Sequence, residues 1–222
     1  MTRLQSQASS PALRSRRLWH TLARPVERPA PAKGLDLVGE WIHGRIHHAR
    51  TTHDSRERAT RIAELADTLR NHSDAALADY AEPVIDAARL ESTRPEARDA
   101  STDNAFALLT EVIRRELGLS LHVEQIMGAL AMAQGAAAEM ATGEGKTITA
   151  ILPTALLACR RKGVHVITVN DYLATRDAEI VAPCLRRVGL TVASIASDSK
   201  QAERRAAYDA DVTYAADKQI VF

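Results

Sequence analysis

The sequence predicts an α/β fold, a parallel sheet flanked by helices in its second half, preceded by a region built of helices alone. Three observations predict it. Short β-branched runs, "VHVITV" (164 to 169), "LTVASIA" (190 to 196) and "VTYAA" (212 to 216), alternate with helical stretches near 172 to 188 and 200 to 208. Each run is nearly continuously apolar, as in strands covered on both faces by helices. Before residue 119 the apolar positions recur at helical spacing instead. With 222 residues and 45% apolar content, the chain can supply a sizeable core.

Residues 1–33 stand apart. They hold seven basic residues against Glu27 alone, and Pro11, Pro25, Pro29 and Pro31 break them up, so a disordered basic arm is expected. The arm has no apolar run long enough for a signal-peptide core, and nothing in the chain approaches the roughly 20 apolar residues of a membrane span. A cytoplasmic placement is expected, with any membrane contact peripheral, on the inner face of the cell membrane. Net charge is +1 over the whole chain, so no global field argues for nucleic acid.

Residues 34–118 read as the helical region. "RIAELADTL" puts Ile62, Leu65, Ala66 and Leu69 on one face of a helix. Ser73 can cap a second helix through Leu77 and Tyr80, with Asp74 favouring the positive end of its dipole. "ESTRPEARDASTD", 91 to 103, is polar and broken by proline, and is expected to be a loop. A further helix through Phe106, Leu109 and Ile113 should stop at Gly118. Two smaller features have bland readings. His43, His47, His48 and His53 lack the acidic or cysteine partners of a metal site and fit a solvated helix, and Cys159 and Cys184 form no CxxC pair and fit buried filling.

Residues 119–222 carry the strands. A helix is expected over 121 to 134, interrupted by Gly135, and "AAAEM" after it is the weakest strand candidate, because alanine favours helix. The chemistry lies just beyond, in "AEMATGEGKTITAIL" (138 to 152). A phosphate cradle needs backbone N–H groups converging on one point, which residues without a Cβ allow cheaply, and then a helix N-terminus. Gly143 and Gly145 meet the first need, within the run Thr142, Gly143, Glu144, Gly145, Lys146, Thr147. Lys146 brings a full charge to the β- and γ-phosphates, and the Thr147 hydroxyl suits Mg²⁺ held through a nucleotide. The general phosphate-loop pattern wants glycine where Met140 stands, so what remains is the T-G-E-G-K-T form of helicase-type motors.

"AEMATGEGKTITAILP" followed by "KGVHVITVNDYLATRDAE" closely resembles SecA, the motor ATPase family of bacterial preprotein translocation. "SDAALADY", "ELGLSLHVEQIMGALAM" and "DVTYAADKQIVF" add to the resemblance, which covers about residues 60 to 222. It implies a RecA-like, helicase-type nucleotide-binding domain using ATP and Mg²⁺. It also implies three partners, the membrane protein-conducting channel, preproteins and anionic lipid, with no sequence-specific nucleic acid. Gln125 matches the family's glutamine that reads adenine, which implies preference for ATP over GTP. Asn170, Asp171 and Tyr172 stand where nucleic-acid helicases carry proline-threonine-arginine-glutamate, although Asn170 or Asp171 can equally just cap a helix.

Two departures matter. Ala141 stands where the family commonly has arginine. The sequence also stops at Phe222, before the family's acidic D-E-x-D strand and its second motor domain with the arginine finger. The resemblance therefore implies an incomplete domain that names no catalytic residue and binds nucleotide without turnover. A regulatory nucleotide-binding module and a non-functional truncated remnant are the alternatives. In the arm, Leu18, Trp19 and Leu22 would share a helix face beside Arg14, Arg16 and Arg17, a pattern suited to an anionic membrane surface.

Overall fold

The computed structural model describes residues 53–90, 95–161 and 163–221. The basic arm and His43, His47 and His48 lie outside the described residues. His53 is described, and its side chain is exposed. Among the described residues no helix is long and apolar enough to cross a membrane, and no three His, Cys, Asp or Glu side chains cluster as a metal site.

Helix α1, residues 53–69, buries Ala59, Ile62, Ala66 and Leu69, as its spacing predicts. Helix α2 (Asp74–Arg89) starts on the Ser73 cap, whose hydroxyl accepts the Ala76 N–H at 3.2 Å, and buries Leu77, Ala81, Val84 and Ala88. Helix α3 (Pro95–Leu117) corrects the expected loop over 91 to 103. Proline is at home in the first turn of a helix, where its missing N–H would have had no acceptor. The polar residues that follow are held by side chains far away in sequence: the Arg58 guanidinium donates to Asp103 at 2.6 Å and pairs with Asp99 at 3.1 Å. Beyond them Ala105, Phe106, Leu109, Val112 and Ile113 are buried, and the helix ends at Gly118 with φ +68°.

Helix α4 (Val123–Ala133) follows, closed by Gln134 and Gly135. Residues 136 to 141 are irregular and mostly exposed, so "AAAEM" forms neither a strand nor more helix. Its alanines have little β propensity, Gly135 ends the helix, and no strand lies beside it among the described residues. Helices α5 (Lys146–Thr149) and α6 (Ile151–Ala158) make one path through Ala150, whose N–H reaches the Lys146 carbonyl at 3.0 Å. Pro153 offers no N–H to the carbonyl four residues back, which is Thr149, and the helix is interrupted there. From Ile151 to Leu156 every residue is buried.

Strand β1 (Val164–Thr168), helix α7 (Asp171–Arg187), strand β2 (Val192–Ile195), helix α8 (Gln201–Tyr208), strand β3 (Val212–Ala216) and helix α9 (Asp217–Val221) follow. The sheet is parallel, in the order β1-β3-β2, with Val164 and Val192 both opposite Val212. Val212 and Tyr214 face the main core, which also takes α1 to α4, α6 and α7. Ala215 faces the opposite way and packs with Ile195 and Ala207. Cover on both faces, expected for all three strands, holds for central β3 alone. At edge strand β1 burial alternates, and Ile167 is 56% exposed. Cys159 and Cys184 are free and buried, as their isolation in sequence suggests.

An ionic network ties the helical region together beneath α7. The Glu111 carboxylate is 1% exposed and receives Arg114 through two hydrogen bonds of 2.7 Å and Arg115 at 2.6 Å. Arg115 continues to Asp74 and to the carbonyls of Leu69 and His72. Arg187, at the end of α7, donates to both Asp74 and Glu116.

Candidate functional site

The glycine loop lies between α4 and the α5–α6 path. Gly143 and Gly145 both have left-handed backbones, with φ +89° and +78°, so each conformation strains any residue carrying a Cβ. Gly145 has a second reason to be glycine: a Cβ there would lie 2.6 Å from Gln125 Nε2. Thr142, Gly143, Glu144 and Lys146 are exposed, and Gly145 and Thr147 are partly covered. The Glu144 N–H turns back to the Ala141 carbonyl at 3.3 Å. The first N–H groups of α5 have no acceptor within the helix, as in any first turn, and Lys146 in that turn is exposed. Cavities of about 390 Å³ and 480 Å³ elsewhere in the molecule are lined by other residues. The loop is an open cradle, and such a surface suits a charged ligand better than an apolar one.

Gln125 is brought onto the loop. It occupies the third position of α4, where its Oε1 accepts the His122 N–H at 2.8 Å and closes the helix start. Its Nε2 donates to the Glu144 carbonyl at 2.9 Å. An amide has two N–H groups and two lone pairs on oxygen, so one of each remains after these two bonds. Anchoring the loop therefore does not use up the groups that would read a base.

Helix α7 contributes two carboxylates, Asp171 and Asp177. Asn170 caps α7, accepting the Leu173 N–H at 2.8 Å, which is the bland reading of that residue. Asp171 does more than sit in the first turn. It accepts the Ser197 N–H at 2.9 Å, the Ser197 hydroxyl and the Gln219 amide, with Lys218 Nζ at 3.4 Å. These contacts join the start of α7 and the loop that follows β2 to α9, at the C-terminal ends of the strands.

The Ser197 hydroxyl above all, then its N–H, Gln219 and Lys218, outweigh the opposing effect of burial and hold the Asp171 carboxyl down from 3.8 to about 2. Its folded pKa lies below the unfolded value. Its contribution is therefore complete above about pH 4 and is lost as pH falls toward about 2. Chemical denaturation across that window should show wild type losing more stability than Asp171→Asn, in which only the other lowered carboxyls, Asp74, Glu111 and Glu124, still titrate. Parallel losses in the two proteins would mean that this carboxylate stabilises nothing.

Asp177 is the residue that sequence reading missed. It is 9% exposed, its Oδ1 takes Arg176 at 2.6 and 2.9 Å, and its Oδ2 accepts the Thr147 hydroxyl at 3.4 Å. A signal was there: Ala174, Asp177, Ala178 and Val181 form one helical stripe, all buried, and only Asp177 carries charge. Tyr214 lies below, its phenol pushed up by burial and then by the Asp177 charge.

Comparison with known proteins gives this geometry a context. The family model for the SecA DEAD-like domain matches residues 42–222, an earlier start than the motifs suggest. Protein translocase subunit SecA of Acidithiobacillus ferrooxidans is 47% identical over 161 residues, covering 72% of this chain and 17% of that protein. Protein translocase subunit SecA 2 of Streptomyces avermitilis is 42% identical over 196 residues, 86% of this chain and 20% of that one. Protein translocase subunit SecA of Thermus thermophilus is 46% identical over 144 residues, 63% of this chain and 14% of that protein. The chain thus spans a fifth or less of the length of these relatives.

Proposed function

The chain belongs to the SecA family, and from that premise we propose that it supplies the ATP-binding part of a protein-translocating motor. The observation that carries this reading is the left-handed Gly143–Gly145 turn, locked against Gln125 and leading directly into Lys146 and Thr147 at a helix start. Residues 119–222 are the nucleotide-binding part in this reading, and 34–118 are the helical region that precedes it. The backbone N–H groups and Lys146 take the phosphates, and the remaining donor and acceptor of Gln125 read adenine.

The residues present also fit magnesium. Thr147 places a hydroxyl oxygen, a hard ligand, in the half-covered first turn behind the exposed Lys146. When bound with nucleotide, the ion neutralises phosphate charge. Coupling of ATP binding and hydrolysis to export belongs, in this proposal, to the complete motor. Its partners are the membrane channel, preproteins and anionic lipid, and its place is the cytoplasmic side of the membrane.

The test is calorimetric titration of the 222-residue chain with Mg-ATP. Removing the Lys146 charge should cost about 1.5–3 kcal/mol, the range for a charge-assisted hydrogen bond, and weaken binding at least tenfold. Arg205→Ala, on the exposed side of α8, should leave binding unchanged. Equal affinity of wild type and Lys146→Ala would overturn the assignment.

A further inference from the structure

The Thr147 hydroxyl has one proton and two lone pairs, and what it can offer a cation depends on where that proton goes. The structure sends it to Asp177. The carboxylate is not free to choose its orientation: Arg176 holds Oδ1 through both Nε and Nη2, which leaves Oδ2 facing the hydroxyl. Helix α7 cannot easily turn away either. Asn170 fixes its start, Asp171 ties it to Ser197 and Gln219, and Ala174, Ala178 and Val181 bury the stripe on which Asp177 lies. A carboxylate side chain 13% exposed is a costly group to keep in an apolar stripe if Arg176 were its only partner, since the Arg176 side chain is 43% exposed and can be solvated without it.

We propose that Asp177 is the positioning residue of the phosphate loop: by accepting the Thr147 proton it leaves that oxygen's lone pairs to a divalent cation, and so makes nucleotide affinity depend on the metal. The inference rests on the nucleotide-binding reading above and adds to it. Partners of a metal ligand that lie one step back from the ion orient the ligand and raise its basicity, and their loss typically weakens metal binding 10- to 100-fold. Asp177 thus acts through Thr147 and touches neither metal nor nucleotide.

The experiment titrates ATP into the full 222-residue chain with Mg²⁺ and, separately, with EDTA. In Asp177→Ala the ratio of the two affinities should fall about tenfold, with the EDTA affinity unchanged. Asp177→Leu, apolar and of similar size on a buried stripe, guards against a folding failure and should behave the same way. Thr147→Val should lose the same ratio, and adding Asp177→Ala to it should cost nothing more.

A wild-type ratio in both Asp177 variants overturns the proposal. So does equal weakening in Mg²⁺ and EDTA, the mark of a merely structural role, and so does additivity with Thr147→Val. The nucleotide-binding reading fails differently: wild type would bind ATP in neither condition, or Lys146→Ala would bind as well as wild type, and the Asp177 proposal would fall with it.

Discussion

Replacing Glu111 with alanine is expected to destabilise the chain by about 3–5 kcal/mol, the usual cost of removing one partner from a buried ion pair. The carboxylate is 1% exposed and receives three guanidinium hydrogen bonds. Its loss would leave Arg115, 15% exposed, with a charge turned inward and only Asp74 and two carbonyls to meet it. Burial pushes the Glu111 carboxyl up, but the hydrogen bonds from Arg114 and Arg115 win and hold it below the ordinary range. The stabilisation is accordingly present above the ordinary glutamate pKa and lost as pH falls below it. Urea denaturation at neutral pH measures the effect. A loss under about 1 kcal/mol would put the network in the class of solvent-screened surface pairs.

Gly145→Ala should cost about 1.5–3.5 kcal/mol of stability. A left-handed backbone costs a residue with a Cβ about 1–2 kcal/mol. The new methyl would also sit 2.6 Å from Gln125 Nε2. That amide is the far end of a flexible side chain and can swing away, so the clash itself is relieved, but the bond to the Glu144 carbonyl goes with it, at about 0.5–1.5 kcal/mol. The two contributions separate in a cycle with Gln125→Ala. In that background Gly145→Ala should cost the backbone strain alone. Full additivity of the two substitutions would show that Gln125 does not hold the loop.

Much of this was legible in the sequence because it depends on neighbours within a few residues. The apolar spacing of "RIAELADTL", the Ser73 cap, the stop at Gly118 and the T-G-E-G-K-T run are all short-range features, and the structure carries each where the pattern put it. The three strands were legible for the same reason: β-branched runs bounded by turn residues seldom do anything else.

What only the tertiary structure decided depends on partners far away in sequence. The polar stretch after Pro95 is helix rather than loop because Arg58, 45 residues before Asp103, meets its carboxylates. "AAAEM" is not a strand because a strand needs a neighbour to bond with, and no local pattern reveals whether one is present. Strand β1 is half exposed because it lies at the edge of the order β1-β3-β2, which composition cannot state. Asp177 meets Thr147 across 30 residues because α7 packs on α6, which continues the path from the loop. The sequence by itself determined the loop and its charge, since backbone freedom and a lysine are properties of single residues. Which side chains hold that loop, Gln125 from one side and Asp177 from the other, is a property of the packed chain, because hydrogen bonds act over about 3 Å and only the fold brings the partners that close.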